Sequence, residues 1–203
     1  MNAVREVVGR GLPIERDDID TDSIIPAHWL RRTERTGYAA GLFEAWRRDP
    51  AFPLNDGRYA DASVLLAGAN FGCGSSREHA AWALAEHGIR AILAPSFADI
   101  FRANAVGNGL VPVALPQAVV HRIVDAVEHD PTLSIRVDVD ALSVEVPSLD
   151  LRALFTLSPD MRTRLLEGLD EIEVTLRHDG AIAAYESKRA SWLPRVDRRA
   201  SMR

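Results

Sequence analysis

One decapeptide stands out in this sequence: Asn70-Phe71-Gly72-Cys73-Gly74-Ser75-Ser76-Arg77-Glu78-His79. An apolar run at residues 63–68 precedes it and predicts a buried strand, while the alanine-rich residues 80–87 that follow predict a helix. The pattern indicates a strand, a glycine loop and a helix that begins near Ser75. Since helix N-termini present unpaired amides and the positive end of the dipole, this junction suits a carboxylate or phosphate ligand.

Three known glycine-loop motifs do not fit these residues. A dinucleotide fingerprint needs a third glycine where Arg77 stands, and a P-loop needs a lysine that is missing here. A nucleophile elbow needs glycines two residues either side of its serine, but Ser75 is flanked at those positions by Cys73 and Arg77. A simple capping box, with Ser75 as N-cap and Glu78 at the third helical position, remains an alternative explanation. Ser76 could cap the helix instead and leave Ser75 free for a ligand.

The rest of the chain predicts further alternating strands and helices. Residues 89–94 read as a second buried strand, and Ser96 reads as the N-cap of the helix after it. Alternating apolar residues on both sides of Asp140 predict a hairpin. Residues 172–176 fit either a strand or a helix. We find no linker or internal repeat, so we expect one domain over residues 1–203 with a frayed tail at about 195–203.

Composition narrows the possible functions. The net charge of −5 argues against a nucleic-acid partner, and no apolar run approaches the length needed to cross a membrane. The N-terminal residues lack the hydrophobic stretch of a signal peptide. Cys73 is the one cysteine, which forbids an internal disulfide and suits a reducing compartment. We therefore expect a soluble, cytoplasmic protein.

The decapeptide and the residues that follow it, Ala80 and Trp82-Ala83-Leu84, resemble the signature of the 3-isopropylmalate dehydratase small-subunit family in the aconitase superfamily. Five further segments agree with this family, in order along nearly the whole chain: residues 20–26, 35–38, 94–101, 167–170 and 179–188. Ala81 departs from the proline expected in many relatives. The resemblance implies an α/β fold, a three-layer β/β/α swivelling domain with a mixed sheet like the aconitase C-terminal domain.

The resemblance also implies an activity and a partner. In this family, 2-isopropylmalate and 3-isopropylmalate are interconverted by dehydration and rehydration in leucine biosynthesis. The 4Fe–4S cluster belongs to a separate large subunit, whose open iron acts on the leaving hydroxyl. An iron–sulfur cluster needs several thiolates, so a chain with one cysteine cannot hold it alone. We expect Cys73 to line the loop, and His79 and His87 lack any paired metal spacing, so no metal site is predicted.

Specific roles follow from the same resemblance. Ser75, as alkoxide, would move the proton of the carbon beside a carboxylate, and Ser76 with loop amides such as that of Gly74 would hold the oxyanion. Arg77 would grip a substrate carboxylate through its guanidinium fork. Thr21 and Asp22 would face the same site, with Asp22 orienting other groups.

The arginine-rich residues 28–41 form a predicted mobile loop that, in the family, closes over the substrate side chain. A solvated basic surface facing an acidic partner is the alternative, and both remain open. Related proteins acting on citraconate and methylmalate, or on homoaconitate, would share the motifs and differ only in the His28–Tyr38 part of this loop. A non-catalytic subunit that only binds an anion is a rival of another class.

Overall fold

A computed structural model of the chain describes residues 1–32, 34, 36–190 and 192–193. The chain divides into two compact units, Met1–Leu169 and Asp170–Arg203. The expectation of one domain over residues 1–203 stays a prediction. Two sequence-based expectations fall partly beyond the described residues: the frayed tail at 195–203, and Arg35 of the arginine-rich loop.

Seven strands and five helices make up the first unit as described. The strands are β1 (Glu6–Ile14), β2 (Ala62–Ala67), β3 (Ala91–Ala94), β4 (Val111–Ala114), β5 (Ser134–Asp138), β6 (Ser143–Val146) and β7 (Leu151–Leu154). The helices are α1 (Thr21–Ile24), α2 (Glu78–His87), α3 (Asp99–Gly107), α4 (Gln117–His129) and α5 (Pro159–Glu167). Along the described residues, no helix combines the length and the apolar character that a membrane crossing requires.

All seven strands join in one mixed sheet of order β4-β3-β2-β1-β5-β6-β7. β1 to β4 pair in parallel, whereas β1 pairs antiparallel with β5, and β5 to β7 continue antiparallel. Leu12 lies opposite Leu65, which in turn lies opposite Ile92. The parallel strands read as continuous apolar runs because they are buried on both faces. The predicted α/β fold with a mixed sheet is confirmed, as are the strand at 63–68 and the hairpin near Asp140.

α4 packs on β1, β2 and β3, and its Val127 lies against the strand at Gly11. A Cβ at Gly11 would stand only 2.8 Å from Cγ2 of Val127, so this helix rests directly on the strand backbone. α3 packs against β4, α2 and α5. The helices therefore pack directly on the parallel strands of the sheet.

The second unit contains α6 (Glu171–Leu176) and α7 (Asp179–Ser187) within its described residues. Asp170 and Glu173 form a capping box at the start of α6, which explains why the ambiguous residues 172–176 form a helix. Neither helix has a buried residue. Large apolar side chains stand exposed in this unit: Ile172, Leu176, Ile182, Tyr185 and Trp192.

The helix after the glycine loop starts later than the sequence predicts. α2 begins at Glu78, its N-cap is Arg77 in an extended conformation, and no side chain caps it. The capping-box hypothesis is therefore wrong for Ser75 and for Ser76. Positive φ angles at Gly72 and Gly74 turn the chain before the helix can begin.

Ser96 is likewise not the N-cap of the next helix. α3 begins at Asp99 with Ala98 as its N-cap, and no side chain caps it. The Ser96 hydroxyl instead accepts a hydrogen bond from the Asn70 amide at 2.8 Å. The local sequence around Ser96 is typical of an N-cap, but its hydroxyl oxygen is occupied by the backbone amide of Asn70, 26 residues away.

A buried aromatic platform carries the glycine loop. Phe71 is fully buried and packs edge-on against Phe97 and Phe101, with ring centroids 6.2 and 5.0 Å away. A Cβ at Gly72 would lie 2.2 Å from the Phe101 ring, and φ at Gly72 is +77°. Position 72 therefore excludes side chains both by space and by backbone conformation.

Replacing Gly72 with alanine should destabilise the protein by about 2–4 kcal/mol, since overpacking and a left-handed backbone each carry a cost. Gly57→Ala is the matched control, because nothing lies within 4 Å of a Cβ there. Denaturant unfolding of both variants measures the difference. Equal stabilities for the two variants would contradict the packing described around Phe101.

Candidate functional site

The site forms where two chain segments leave adjacent parallel strands. β1 and β2 end at the same edge of the sheet, and the residues after them, 16–22 and 68–75, run side by side. Four backbone hydrogen bonds join the segments: Gly68 N to Arg16 O at 3.0 Å, Asp18 N to Ala69 O at 2.9 Å, Gly72 N to Ile19 O at 2.7 Å, and Thr21 N to Cys73 O at 3.0 Å. The parallel pairing therefore continues beyond the strands and brings the acidic loop to the serine loop.

Side chains of the acidic loop add to this pairing. Asp17 accepts a hydrogen bond from the Ala69 amide at 2.6 Å, and Asp18 accepts one from the Asn70 side chain at 2.8 Å. Asp20 caps α1 by accepting from the Ser23 amide at 2.6 Å. These three carboxylates hold backbone and side-chain donors, which is the ordinary turn chemistry of aspartate.

Thr21 joins the acidic loop to the serine loop directly. Its side chain is buried, and its hydroxyl donates to the backbone carbonyl of Ser75 at 3.0 Å. The carbonyl is thus fixed while the Ser75 side chain projects from an exposed residue. Thr21 accordingly lies against the serine loop through its backbone and its side chain, and its hydroxyl is occupied by the loop itself.

Arg77 and Asp22 form an ion pair, with Nη1 of Arg77 donating to Oδ1 of Asp22. The Arg77 side chain is 17% exposed and that of Asp22 is 51% exposed. Because a guanidinium has five N–H donors, this bond orients the group and leaves donors for an anion. Within the described part of the chain, the Arg77 guanidinium has no further hydrogen-bond partner.

Ser75 and Ser76 present unengaged hydroxyls. Both residues are exposed, and neither hydroxyl finds a hydrogen-bond partner among the residues that the structure describes. Gly74, just before them, has φ +86° and is also exposed. The structure thus brings Thr21, Asp22 and Arg77 into contact around this loop, and it leaves the two serine side chains open to solvent.

Sequence reasoning did not predict the cluster that Tyr38 forms with side chains of α2. The Tyr38 ring is buried and meets the rings of His79 and Trp82 edge-on, and Glu86 accepts from the Tyr38 amide at 2.6 Å. The helical spacing of positions 79, 82 and 86 is visible in the sequence. Nothing local indicates that they share a partner more than 40 residues away.

Burial changes the proton affinity of three groups, two histidines of α2 and the cysteine of the glycine loop. It lowers the pKa of His79 and of His87, so both imidazoles favour the neutral form. Burial also raises the pKa of the Cys73 thiol, and the nearby carboxylates of Asp20 and Asp18 raise it further. Since metals bind thiolates rather than thiols, this environment opposes metal binding at Cys73.

These residues do not fit an iron–sulfur cluster. Cys73 is the single cysteine of the sequence, whereas such clusters are held by several thiolates. Across the described residues, no group of three or more His, Cys, Asp or Glu side chains is placed to hold a metal ion.

A cavity of about 380 Å³ lies at the same edge of the sheet and contains none of the predicted site residues. Its polar lining is largely self-paired, because His121 bonds Glu15 at 2.6 Å through Nδ1 and Gln117 at 3.1 Å through Nε2.

Comparison with known proteins agrees with this geometry. The model of the aconitase C-terminal domain matches residues 1–118, and that of the C-terminal domain of the 3-isopropylmalate dehydratase small subunit matches residues 171–199. A crystal structure described as 3-isopropylmalate dehydratase from Methanocaldococcus jannaschii is similar, with a TM-score of 0.64 and 28% identity over 89% of this chain and 99% of that one.

Two curated relatives named 3-isopropylmalate dehydratase small subunit are similar over almost their whole length. The protein of Parafrankia sp. (strain EAN1pec) is 54% identical over 194 residues, which cover 96% of this chain and 98% of the relative. That of Rubrobacter xylanophilus is 46% identical over 196 residues, which cover 97% and 100%.

The α/β fold is thus that of the aconitase C-terminal domain class, as predicted. Within this class, the chain belongs to the family of 3-isopropylmalate dehydratase small subunits. The resemblance inferred from the sequence motifs is confirmed.

The lowered pKa of His79 predicts a pH dependence of stability. Histidine in an unfolded chain has a pKa of about 6.5. Near and below that pH, position 79 therefore takes up a proton more readily in the unfolded chain than in the folded one. The stabilising effect of the neutral ring is present above this pH and is lost as the pH falls through the lower folded pKa. Between about pH 7 and 5.5, His79→Gln should flatten the fall in melting temperature, whereas Gln in place of the exposed His129 should not. If melting temperature fell equally with pH in the two variants, burial of His79 would not explain the pH dependence.

Proposed function

We propose that this chain is the small subunit of a heteromeric hydro-lyase that interconverts 2-isopropylmalate and 3-isopropylmalate through the dehydrated alkene, in leucine biosynthesis. The observation that carries the proposal is the placement of Arg77, oriented by Asp22, in the same loop as two unengaged serine hydroxyls. Such a site combines a cation for a carboxylate with a group that can move a proton. Family membership supplies the substrate class.

Carboxylate binding falls to Arg77. Its Nη1 is held by Asp22, and the other donors of the fork can meet two carboxylate oxygens of a hydroxy dicarboxylate substrate. Asp22 does not need to exchange a proton for this role. It sets the direction of the guanidinium.

Proton transfer falls to Ser75. Its Oγ, as alkoxide, would take the proton from the carbon next to a substrate carboxylate as hydroxide leaves the neighbouring carbon. After the alkene has rotated in the site, the Ser75 hydroxyl would return the proton to one alkene carbon as hydroxide adds to the other, which regenerates the alkoxide. Serine is a weak acid, so the alkoxide needs a positive environment. Arg77 is two residues away and supplies one. Helix α2 contributes less than its sequence predicted, since it begins at Glu78 and carries that carboxylate in its first turn.

Ser76 and the Gly74 amide would hold the developing oxyanion. Gly74 has φ +86°, which is accessible at little cost only to glycine, and this conformation sets the direction of the neighbouring amides. Both residues are exposed, so a substrate can reach them. Preorganised donors of this kind lower the barrier because they need no reorientation during the reaction.

The leaving hydroxyl needs help that this chain does not supply. We propose that a large subunit holds a 4Fe–4S cluster, which would provide Lewis-acid chemistry at that position, and that this chain is active only in complex with it. A soluble, cytoplasmic protein without nucleic-acid or membrane partners remains part of the proposal. The net charge of −5 supports the exclusion of nucleic acid.

Replacing Ser75 with alanine should lower turnover of the reconstituted complex by at least about 10³-fold, because the proton-transferring group is lost. Folding and assembly should be unchanged, since the Ser75 hydroxyl caps no helix. The assay follows absorbance of the unsaturated intermediate with 2-isopropylmalate as substrate, and Ser134→Ala, at an exposed position of β5, is the control.

Three outcomes of this assay would count against the proposal. Full turnover by the Ser75→Ala complex would leave Ser75 without a catalytic role. Faster turnover of citraconate or homoaconitate than of isopropylmalate by the wild-type complex would move the protein to a related hydratase. A wild-type chain that binds anions but gives no turnover with any cluster-bearing partner would have a binding role only.

Replacing Arg77 with lysine should raise KM and lower kcat, with kcat/KM falling about 10- to 100-fold, because an ammonium cannot copy the bidentate fork. Asp22→Asn should give a smaller loss of the same kind, since the asparagine still accepts a hydrogen bond but no longer pairs the charge. Steady-state kinetics of the reconstituted complex measure both. An unchanged kcat/KM in Arg77→Lys would remove arginine from the substrate contact.

A further inference from the structure

Glu86, in the last turn of α2, holds a distant turn through its carboxylate. One oxygen, Oε2, accepts hydrogen bonds from the amides of Tyr38 at 2.6 Å and of Ala39 at 3.1 Å. These amides open the 3₁₀ turn Tyr38–Gly41, which has no side-chain cap of its own. A carboxylate at the start of a helical turn satisfies its orphan donors, so Glu86 acts as a cap supplied from another helix.

The Tyr38 ring is held on the same stripe of α2. It lies 5.3 Å from the His79 ring and 5.4 Å from the Trp82 ring, both in edge-on contact, and it is 1% exposed. Positions 79, 82 and 86 follow the spacing of one helix face. The same helix therefore carries Arg77 at its N-cap and the three side chains that hold Tyr38, at positions 79, 82 and 86.

The turn also meets the start of the arginine-rich loop. A Cβ at Gly41 would lie 2.5 Å from the Trp29 indole, so the ring packs flat on that glycine. Trp29 Nε1 donates to Glu44 Oε2 at 2.5 Å, and this bond further orients the indole. The Arg32 guanidinium lies 5.3 Å from the Trp29 ring and 5.9 Å from the Tyr38 ring, within reach of both π faces.

We infer that Glu86 is a positioning residue, which locks the turn Tyr38–Gly41 onto α2 and thereby fixes Arg32 relative to Arg77. This inference rests on the proposed function, in which Arg77 binds a substrate carboxylate. Glu86 touches no substrate. It acts through the Tyr38 and Ala39 amides and through the Tyr38 ring, and its loss would let the turn shift while the serine loop stays in place.

The first test measures the anchor in the protein itself, without activity. Hydrogen exchange of the Tyr38 and Ala39 amides should be about tenfold faster in Glu86→Ala than in the wild type, since both lose their acceptor. Glu86→Gln keeps an acceptor oxygen and should restore much of the protection. The Phe43 amide, which donates to Ile24 O at 2.8 Å, should exchange equally in all three proteins. Unchanged exchange at Tyr38 and Ala39 would overturn the inference.

The second test uses the complex reconstituted with a large subunit. Glu86→Ala should raise KM for isopropylmalate at least about fivefold, while kcat stays within about twofold. The displaced turn would weaken substrate binding, whereas the serine loop that transfers the proton stays in place. Glu86→Gln should recover most of the affinity. Glu128→Ala, which removes an exposed glutamate of α4, should leave both constants unchanged.

The outcomes separate this inference from the proposed function. Faster exchange with an unaltered KM would make Glu86 a structural anchor only and would overturn its positioning role. A fall in kcat of Glu86→Ala by about fivefold or more, with KM unchanged, would also overturn the positioning role. A wild-type complex without turnover would defeat the proposed function, while the exchange experiment would still report on the anchor.

Discussion

The hydrogen bonds that join residues 16–22 to residues 68–75 determine where every other group of the site stands. They extend the parallel pairing of β1 and β2 past the ends of both strands, and the Thr21 hydroxyl adds the last bond at Ser75. Each such bond contributes a net of about 1 kcal/mol, whereas a partly exposed ion pair contributes about 0–1 kcal/mol. The backbone pairing therefore places the loop, and the Arg77–Asp22 pair orients a side chain on a frame that already exists.

Helix α2 then links the placement of the serine loop to a more distant part of the chain. Arg77 occupies the N-cap position, and Glu86 lies in the last turn, about 13.5 Å further along the axis at 1.5 Å per residue. Four alanine and leucine side chains of this helix are fully buried, so it cannot tilt without disturbing the core. Groups attached to its two ends are consequently fixed relative to each other, and the inferred positioning role of Glu86 rests on this coupling.

Local patterns predicted the parts of this structure that local physics determines. The apolar run of β2, the hairpin near Asp140 and the alanine-rich body of α2 all formed as expected. The start of α2 did not form as expected, because Ser75-Ser76-Arg77-Glu78 is also a good capping sequence. The positive φ angles of Gly72 and Gly74 and the long-range bond from Thr21 keep the serines in the loop, and the local sequence does not show either. Tyr38 and Glu86 were missed for the same reason. Their contacts join positions 48 residues apart, and neither residue carries a local signal of its partner.

The candidate site could be proposed from the sequence because its chemistry is concentrated in one loop. A cation, two hydroxyls and a glycine bend stand within four consecutive positions, 74–77, and the acid that orients the cation follows the neighbouring strand. The loop offers no thiolate ligand for a metal, because burial and the two nearby carboxylates raise the pKa of its one thiol. Under the proposed function, the chain therefore binds the carboxylate and moves the proton, and the displacement of hydroxide belongs to its partner.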